Sequence, residues 1–460
     1  DVKERLAKQG KELKQEPQLD PTKLAAVFQD GEEFENAKNM LSSVGVVHID
    51  GNGVGAIMRD LGCAHRAVQK VGVSTISDEE SKGLQSFIME VNRRLDNVVK
   101  DAIALSWYYV QELTPDTVVP IVPVLVGGDD VTVYTDGRYA IPFAEAYIQH
   151  YERLTKDDDL LSVLAIVAGG KKGDAPERDQ FEIDDYIIQN PGPLTASAGV
   201  AIVGRNFPFH IAYDLAEGLV KRGKKLGKKK GEVPCSTIDF HVLRDATVLD
   251  PDETLDEYKG RVQRPFLVGH YAPERIGDAP TTSPEEAPTA ESQPLPSWEC
   301  ILRAVAVFDG KKPDDPTQST GDPFPRARAN RIVKLLADYV KVPKDDKARS
   351  ECLGYVVLED NEQAFATQEQ IDNDKQKPDG EKQKPDDAER ITKRCNHPIC
   401  TIRLEWTDAQ ENARGTKALV DALGPLPSKT RLDDPDEHTE DCIEQVRWLL
   451  DLIDMSGNLP

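Results

Sequence analysis

Apolar positions recur with two different periods along the first half of the chain. VGVVHID (44–50) is β-branched and apolar and predicts a buried strand. A helix is predicted over 80–113, where Leu84, Phe87, Ile88, Val91, Leu95, Val98 and Ala102 return at helical spacing. VVPIVPVLV (118–126) and VTVYT (131–135) follow, with GGDD between them; two short β runs across a Gly-rich turn predict a hairpin. A second helix is predicted over 139–154, a buried strand at TASAGVAIV (195–203), a further helix over 208–225 and a closing strand at STIDFHVL (236–243). The order is β-α-β-β-α-β plus an extra strand, in an α+β class of ferredoxin-like or palm type. One sheet with its helices on one face is the expected architecture, and 156–193 reads as an inserted segment of mixed, polar character.

The remainder of the chain is organised by composition. Residues 1–43 are polar and helical in pattern, a lead-in to a palm domain spanning 44–245. Residues 246–297 form a connector that ends in APTTSPEEAPTAESQPLP (279–296), a Pro/Ser/Thr/Glu linker. Residues 298–460 predict a smaller, mostly helical domain. Its helices include ANRIVKLLADYV and CIEQVRWLLDLIDM, the latter with Ile443, Val446, Leu450 and Ile453 on one face. KQKPD occurs twice within DKQKPDGEKQKPDD, which predicts a disordered surface loop near 360–390. No structural repeat is visible.

Charge and cysteine content narrow the function classes. The 460 residues carry 57 Lys plus Arg against 81 Asp plus Glu, a net charge of -24. Such acidity argues against a general nucleic-acid-binding surface, and an anionic ligand would need a metal ion or focused cations. No run of about 18 apolar residues exists, so no transmembrane helix is predicted and no membrane partner is expected. The N-terminal DVKERLAKQGKELK lacks the apolar core of a secretory signal. Seven scattered cysteines form no disulfide framework, which suits reduced thiols in the cytoplasm. The chain opens on Asp1 rather than an initiator methionine, as a piece of a longer protein would.

The strongest chemical signal is Gly127-Gly128-Asp129-Asp130 at the tip of the predicted hairpin. Two glycines permit positive φ and leave room for a ligand to approach. Two adjacent carboxylates concentrate negative charge there, which is costly unless a divalent cation is bound. A second acidic element is Asp50, at the end of the first strand, followed by the Gly-rich run Gly51-Asn52-Gly53-Val54-Gly55. In a βαββαβ sheet the first strand lies beside the second strand of the hairpin. Asp50 would then face Asp129 and Asp130 across one strand spacing, about 5 Å. Carboxylates from neighbouring strands are what a two-metal nucleotidyl-transfer site requires. Backbone N–H groups near Asp50 can meet phosphate oxygens.

VVHIDGNGVGAIM, VLVGGDDVTVY and TASAGVAIVGRNFPFHIAYDLAEGLVKRGKK, in that order, resemble the second palm domain of the large subunit of type III CRISPR effector complexes. That domain is a relative of GGDEF diguanylate cyclases and class III nucleotide cyclases. The resemblance covers about 44–245, and the helical C-terminal part resembles the family's small four-helix domain with less specificity. It implies a nucleotidyltransferase that makes cyclic oligoadenylate from ATP in antiviral defence. Two ATP molecules bind on paired palms, and the 3′-hydroxyl of one attacks the α-phosphate of the other. It further implies that Asp50, Asp129 and Asp130 hold Mg2+ or Mn2+, with Asp129 and Asp130 catalytic. Asn52, Gly53, Gly55, Gly127, Gly128 and Ser197 would line the nucleotide site, and Lys224 would contact the triphosphate. A second palm is an implied partner, from an upstream region or a homodimer, together with guide or target RNA and effector subunits.

The chain departs from the family in three ways. Asn52 stands where the family has a second acid, no adjacent His-Asp pair marks its nuclease domain, and no first palm is visible within residues 1–43. Two alternatives therefore stand beside the ATP cyclase. One is an inactive nucleotide-binding palm that scaffolds a ribonucleoprotein; the other is a GGDEF-like cyclase using GTP. Weaker signals remain. Lys221, Arg222, Lys224, Lys225, Lys228, Lys229 and Lys230 form either a solvated helix end or a phosphate-contacting patch. Cys395, His397 and Cys400, with Cys352 or Cys442, have zinc-ligand character but lack a second closely spaced pair. His48, on a buried strand, reads as a hydrogen-bonded core histidine, and no GxSxG-type context supports a serine hydrolase.

Overall fold

The structure is a computed structural model. It describes residues 2–12, 43–59, 84–114, 121–168, 181–183, 186–188, 192–227, 235–243, 250–269, 298–313, 315–340, 355–357, 363–365, 415–423 and 438–460, with single positions at 62, 64, 65, 68, 402, 405, 406, 408 and 409. These fall into two compact units. The first comprises 1–257, 264–298 and 457–460, and the second 258–263 and 299–456.

The first unit begins with helix α1 (Val2–Lys8), strand β1 (Ser43–Asn52) and the short helix α2 (Val54–Arg59). Helix α3 (Leu84–Leu113) leads to the hairpin β2 (Ile121–Gly127) and β3 (Asp130–Asp136). Helices α4 (Gly137–Asp157) and α5 (Leu161–Ala168) and the two-stranded β4 (Phe181–Ile183) and β5 (Tyr186–Ile188) follow. Then come β6 (Thr195–Gly204), α6 (Phe209–Gly227), β7 (Ser236–Val242), α7 (Pro251–Glu257) and β8 (Phe266–Val268). The main sheet is mixed, six strands in the order β2-β3-β1-β6-β7-β8. The first three pairings are antiparallel, β6 and β7 run parallel, and β8 closes antiparallel. This α+β arrangement is compatible with a ferredoxin-like palm.

Helix α3 forms because its apolar residues share one face. Phe87, Val91, Leu95, Val98 and Ala102 are buried, whereas Leu84 stands exposed at the helix start. Helices α3 and α4 pack together, and α4 lies against β1 and β6. Helix α6 also packs on β1, β6 and β7, but from the other side of the sheet. Two glycines establish this. A Cβ on Gly45 would collide with the Ala140 side chain of α4, and one on Gly199 would collide with the Ala216 carbonyl of α6. Gly199 pairs with His48, whose side chain points to the face opposite that of Gly45. The expectation of helices on one face is therefore corrected: both faces are covered. Val44, Val46, Ala201 and Val203 form one core layer with Ala212, Leu215, Ala216 and Leu219 of α6.

Two further differences have local causes. The mixed segment 156–193 contains a helix that its pattern did not predict, because LSVLAIVA forms α5 with Leu161, Val163 and Leu164 buried. Asp158 caps it, accepting from the N–H groups of Leu160 and Leu161 at 2.9 Å each. The connector after 245 contributes α7 and the edge strand β8.

The second unit contains the helix Trp298–Phe308 from residue 299 onward, the helices Arg326–Val340, Thr416–Leu423 and His438–Ser456, and two short two-stranded sheets. In its core Phe308 stacks on Phe324, whose ring meets Trp406 at a tilt. The lead-in beyond residue 12, the Pro-rich linker, the KQKPD loop and Cys352, Cys395, His397 and Cys400 lie outside the described residues. Among the described residues, no helix is long and apolar enough to cross a membrane.

Candidate metal centre on the hairpin turn

The register of the sheet assembles the acidic group. Ile49 pairs with Val131, so one residue further Asp50 comes level with Asp130. Gly127 pairs with Asp130, leaving Gly128-Asp129 as a two-residue turn with Gly128 at φ 61°. The turn folds down on β1: a Cβ on Gly51 would lie 2.8 Å from the Asp129 carboxylate, so only glycine admits this approach. Asp50, Asp129 and Asp130 are each partly buried and offer carboxylate oxygens within 4.8 Å of one another. Among the described residues they are the one convergent group of acidic, histidine and cysteine side chains. The donor set, three carboxylates with no sulfur or imidazole, suits a hard divalent ion such as Mg2+ or Mn2+.

The electrostatics are those of crowded like charges. Burial pushes Asp130 up to about 6, and the charges of Asp50 and Asp129 and a hydrogen bond with Asp50 push in the same direction. Lys224, in the last turn of α6, opposes them. Its Nζ is ion-paired with Asp50 and donates to the Gly51 carbonyl at 3.1 Å. Gly223 lets this end of α6 settle on β7, since a Cβ there would stand 2.5 Å from Thr237 Oγ1.

The remaining sequence-predicted residues divide into two groups. Gly55, Gly127 and Gly128 border open space, where a Cβ would meet nothing within 4 Å, and Gly53 sits at φ 86°. Asn52 and Ser197 instead lie beneath the surface, both buried. Asn52 Nδ2 donates to Thr195 Oγ1 at 3.2 Å and to the Cys235 carbonyl at 3.1 Å. Its Oδ1 accepts from Ser197 Oγ at 3.0 Å, and Ser197 Oγ accepts from Thr237 Oγ1 at 2.9 Å. This network ties β1 to β6 and to the β7 end, and it explains the amide. A carboxylate at position 52 could not donate to the Cys235 carbonyl. Asn52→Asp should therefore lower stability by about 1–3 kcal/mol. Urea unfolding checks this, and an unchanged midpoint would contradict the network's role.

His48 behaves as a core histidine. Its Nδ1 lies 3.1 Å from Thr132 Oγ1, its ring meets Tyr213 edge-on, and burial holds it below the ordinary histidine range. Of the basic run, Lys221 pairs with Glu217 at 3.0 Å, and Arg222 grips buried Asp239 through two bonds of 2.5 and 2.7 Å. Lys228, Lys229 and Lys230 lie outside the described residues.

Two residues near the acids were not anticipated. Tyr147 and Tyr151 of α4 are stacked at 5.9 Å, fully buried, with hydroxyls that have no hydrogen-bond partner among the described residues. Burial holds both phenols protonated, and the Asp129 charge adds to it. Their four-residue spacing on a predicted helix was the available signal. No protein-family model matches the chain, and no curated protein matches it in sequence.

Proposed function

We propose that the first unit is a nucleotidyltransferase palm that uses Mg2+ or Mn2+ to join ATP into a cyclic oligoadenylate-type product, in an antiviral signalling role. The observation that carries this reading is the convergence of Asp50 with Asp129 and Asp130 at an open glycine turn. In it, Asp50, Asp129 and Asp130 hold the ions, which when bound neutralise phosphate charge and favour departure of pyrophosphate. Gly53, Gly55, Gly127 and Gly128 give the nucleotide room and backbone N–H groups. Lys224 is the nearest cation available to a triphosphate. Asn52 and Ser197 brace the strands under the site rather than touching the ligand. The 3′-hydroxyl oxygen of one nucleotide bonds to the α-phosphorus of the next. The bond to the β-phosphate oxygen breaks, pyrophosphate leaves, and the hydroxyl proton passes to water.

A second reading, an inactive palm that scaffolds other subunits, is favoured by Asn52, whose amide is committed to the buried network. The two differ in what concentration does. One palm holds one triphosphate, and aligning the second nucleotide is worth on the order of 7–11 kcal/mol. Turnover should therefore need a second palm, and specific activity should rise steeply across a dilution series of the chain. Constant specific activity in a monomer, measured by sedimentation in parallel, would contradict the paired-palm mechanism. Absence of turnover at every concentration, with ATP and Mn2+ bound, would favour the scaffold.

A further inference from the structure

The acidic group already has a cation. Lys224 reaches from the end of α6 to the Asp50 carboxylate and the Gly51 carbonyl, both on the rim that a divalent ion would use. Of the other described cations of that helix segment, Lys221 is held by Glu217 and Arg222 by Asp239, and Lys225 stands exposed to solvent. Lys224 is the side chain in contact with Asp50, and its charge opposes the crowding felt by Asp130. An ammonium and a divalent ion on the same carboxylate repel each other, and the ion carries the larger charge. The lysine is also the group free to move, being a flexible stem on an otherwise anchored helix end. Its position in the last turn of α6 stays favourable for a cation after it leaves Asp50.

We propose that Lys224 is a resident counter-ion which a divalent metal displaces from Asp50, so that metal binding delivers Lys224 to the phosphates of the nucleotide. The inference rests on the metal-centre reading above and adds a coupling to it. Metal alone binds against the lysine, whereas metal with a triphosphate binds with its help. By linkage the triphosphate must tighten the metal by the factor with which the metal tightens the triphosphate. Lys224 is thus a positioning residue whose place depends on the state of the centre.

The test uses the full chain and two readouts that do not need turnover. First, Mn2+ binding is measured by electron paramagnetic resonance for the wild type, Lys224→Met and the double variant Asp129→Asn with Asp130→Asn. Lys224→Met should bind Mn2+ alone about fivefold or more tightly than the wild type, a typical coupling factor. With a non-cleavable α,β-methylene ATP present, that order should reverse. Second, the wild type is acylated briefly with and without Mn2+, and Lys224 modification is read by peptide mass spectrometry. Mn2+ should raise modification of Lys224 and leave that of exposed lysines unchanged.

Equal or weaker Mn2+ binding by Lys224→Met, or acylation of Lys224 that does not rise with Mn2+, would overturn the displacement. If the wild type binds Mn2+ and the double aspartate variant does not, the metal centre survives that failure. If the wild type binds no Mn2+, both ideas fall together.

Discussion

Replacing Asp129 and Asp130 together by asparagine should remove divalent-ion binding while making the chain more stable at neutral pH. The two effects share one cause. Three carboxylates crowd one turn, and Asp130 is pushed up to about 6 by burial and by its neighbours. A carboxyl whose proton is held more tightly in the folded state than in the unfolded one favours folding at low pH. That contribution is lost as pH rises from about 4 to about 6, and above this range the ionised group costs stability. Allowing for solvent screening of a partly exposed group, the cost is about 1–2 kcal/mol. In a chelator-containing buffer the double variant should therefore melt several degrees above the wild type at pH 7.5, and the gap should close towards pH 4. With Mn2+ added the order should invert, because only the wild type gains stability from the ion. Loss of two of three carboxylate ligands should leave no measurable Mn2+ binding at the turn. Calorimetry and thermal melts at the two pH values check both halves. A variant that melts lower than the wild type at pH 7.5 would contradict the crowding.

The largest loss of stability is expected from Arg222→Ala. Asp239 is wholly buried on β7, opposite Gly199, and its carboxylate is gripped by Arg222 through Nε at 2.5 Å and Nη2 at 2.7 Å. Removing the guanidinium leaves a buried charge without its two-point partner, which costs about 3–5 kcal/mol. Arg222 is also two residues from Lys224 on α6, so the loss should loosen the helix end that reaches Asp50. Asp239→Asn in the Arg222→Ala background should recover much of the stability, because the uncompensated charge is then gone. Urea unfolding of the two variants gives the comparison. A cost below about 1 kcal/mol for Arg222→Ala would show that water reaches Asp239 and that the pair is a surface contact.

Strand order and the meeting of the three aspartates were legible because both follow from period and sequence. An antiparallel hairpin between two apolar runs has one geometry, and βαββαβ order sets the first strand beside it. The covering of both sheet faces has a signal in the chain, since apolar residues between Val44 and Ile49 fall at both alternating positions of the strand. Val44 and Val46 face α6 while Val47 and Ile49 face the other side. Helix α5 was hidden because eight nearly all-apolar residues show no helical period, and β8 because three residues show none at all. The role of Asn52 was invisible for a different reason. Its partner carbonyl, at Cys235, lies 183 residues away, and only the folded β6–β7 end brings it within reach.

The measurement that bears most directly on the central claim is pyrophosphate release from ATP by the full chain, at the highest concentration attainable, with Mg2+ or Mn2+. The wild type should release pyrophosphate in step with new 3′-linked, phosphatase-resistant adenylate products, and the Asp129→Asn plus Asp130→Asn variant should release none above buffer. Release that persists in that variant, or no release from any of the four nucleoside triphosphates by a wild type that binds Mn2+ at the turn, would contradict a nucleotidyltransferase at this site.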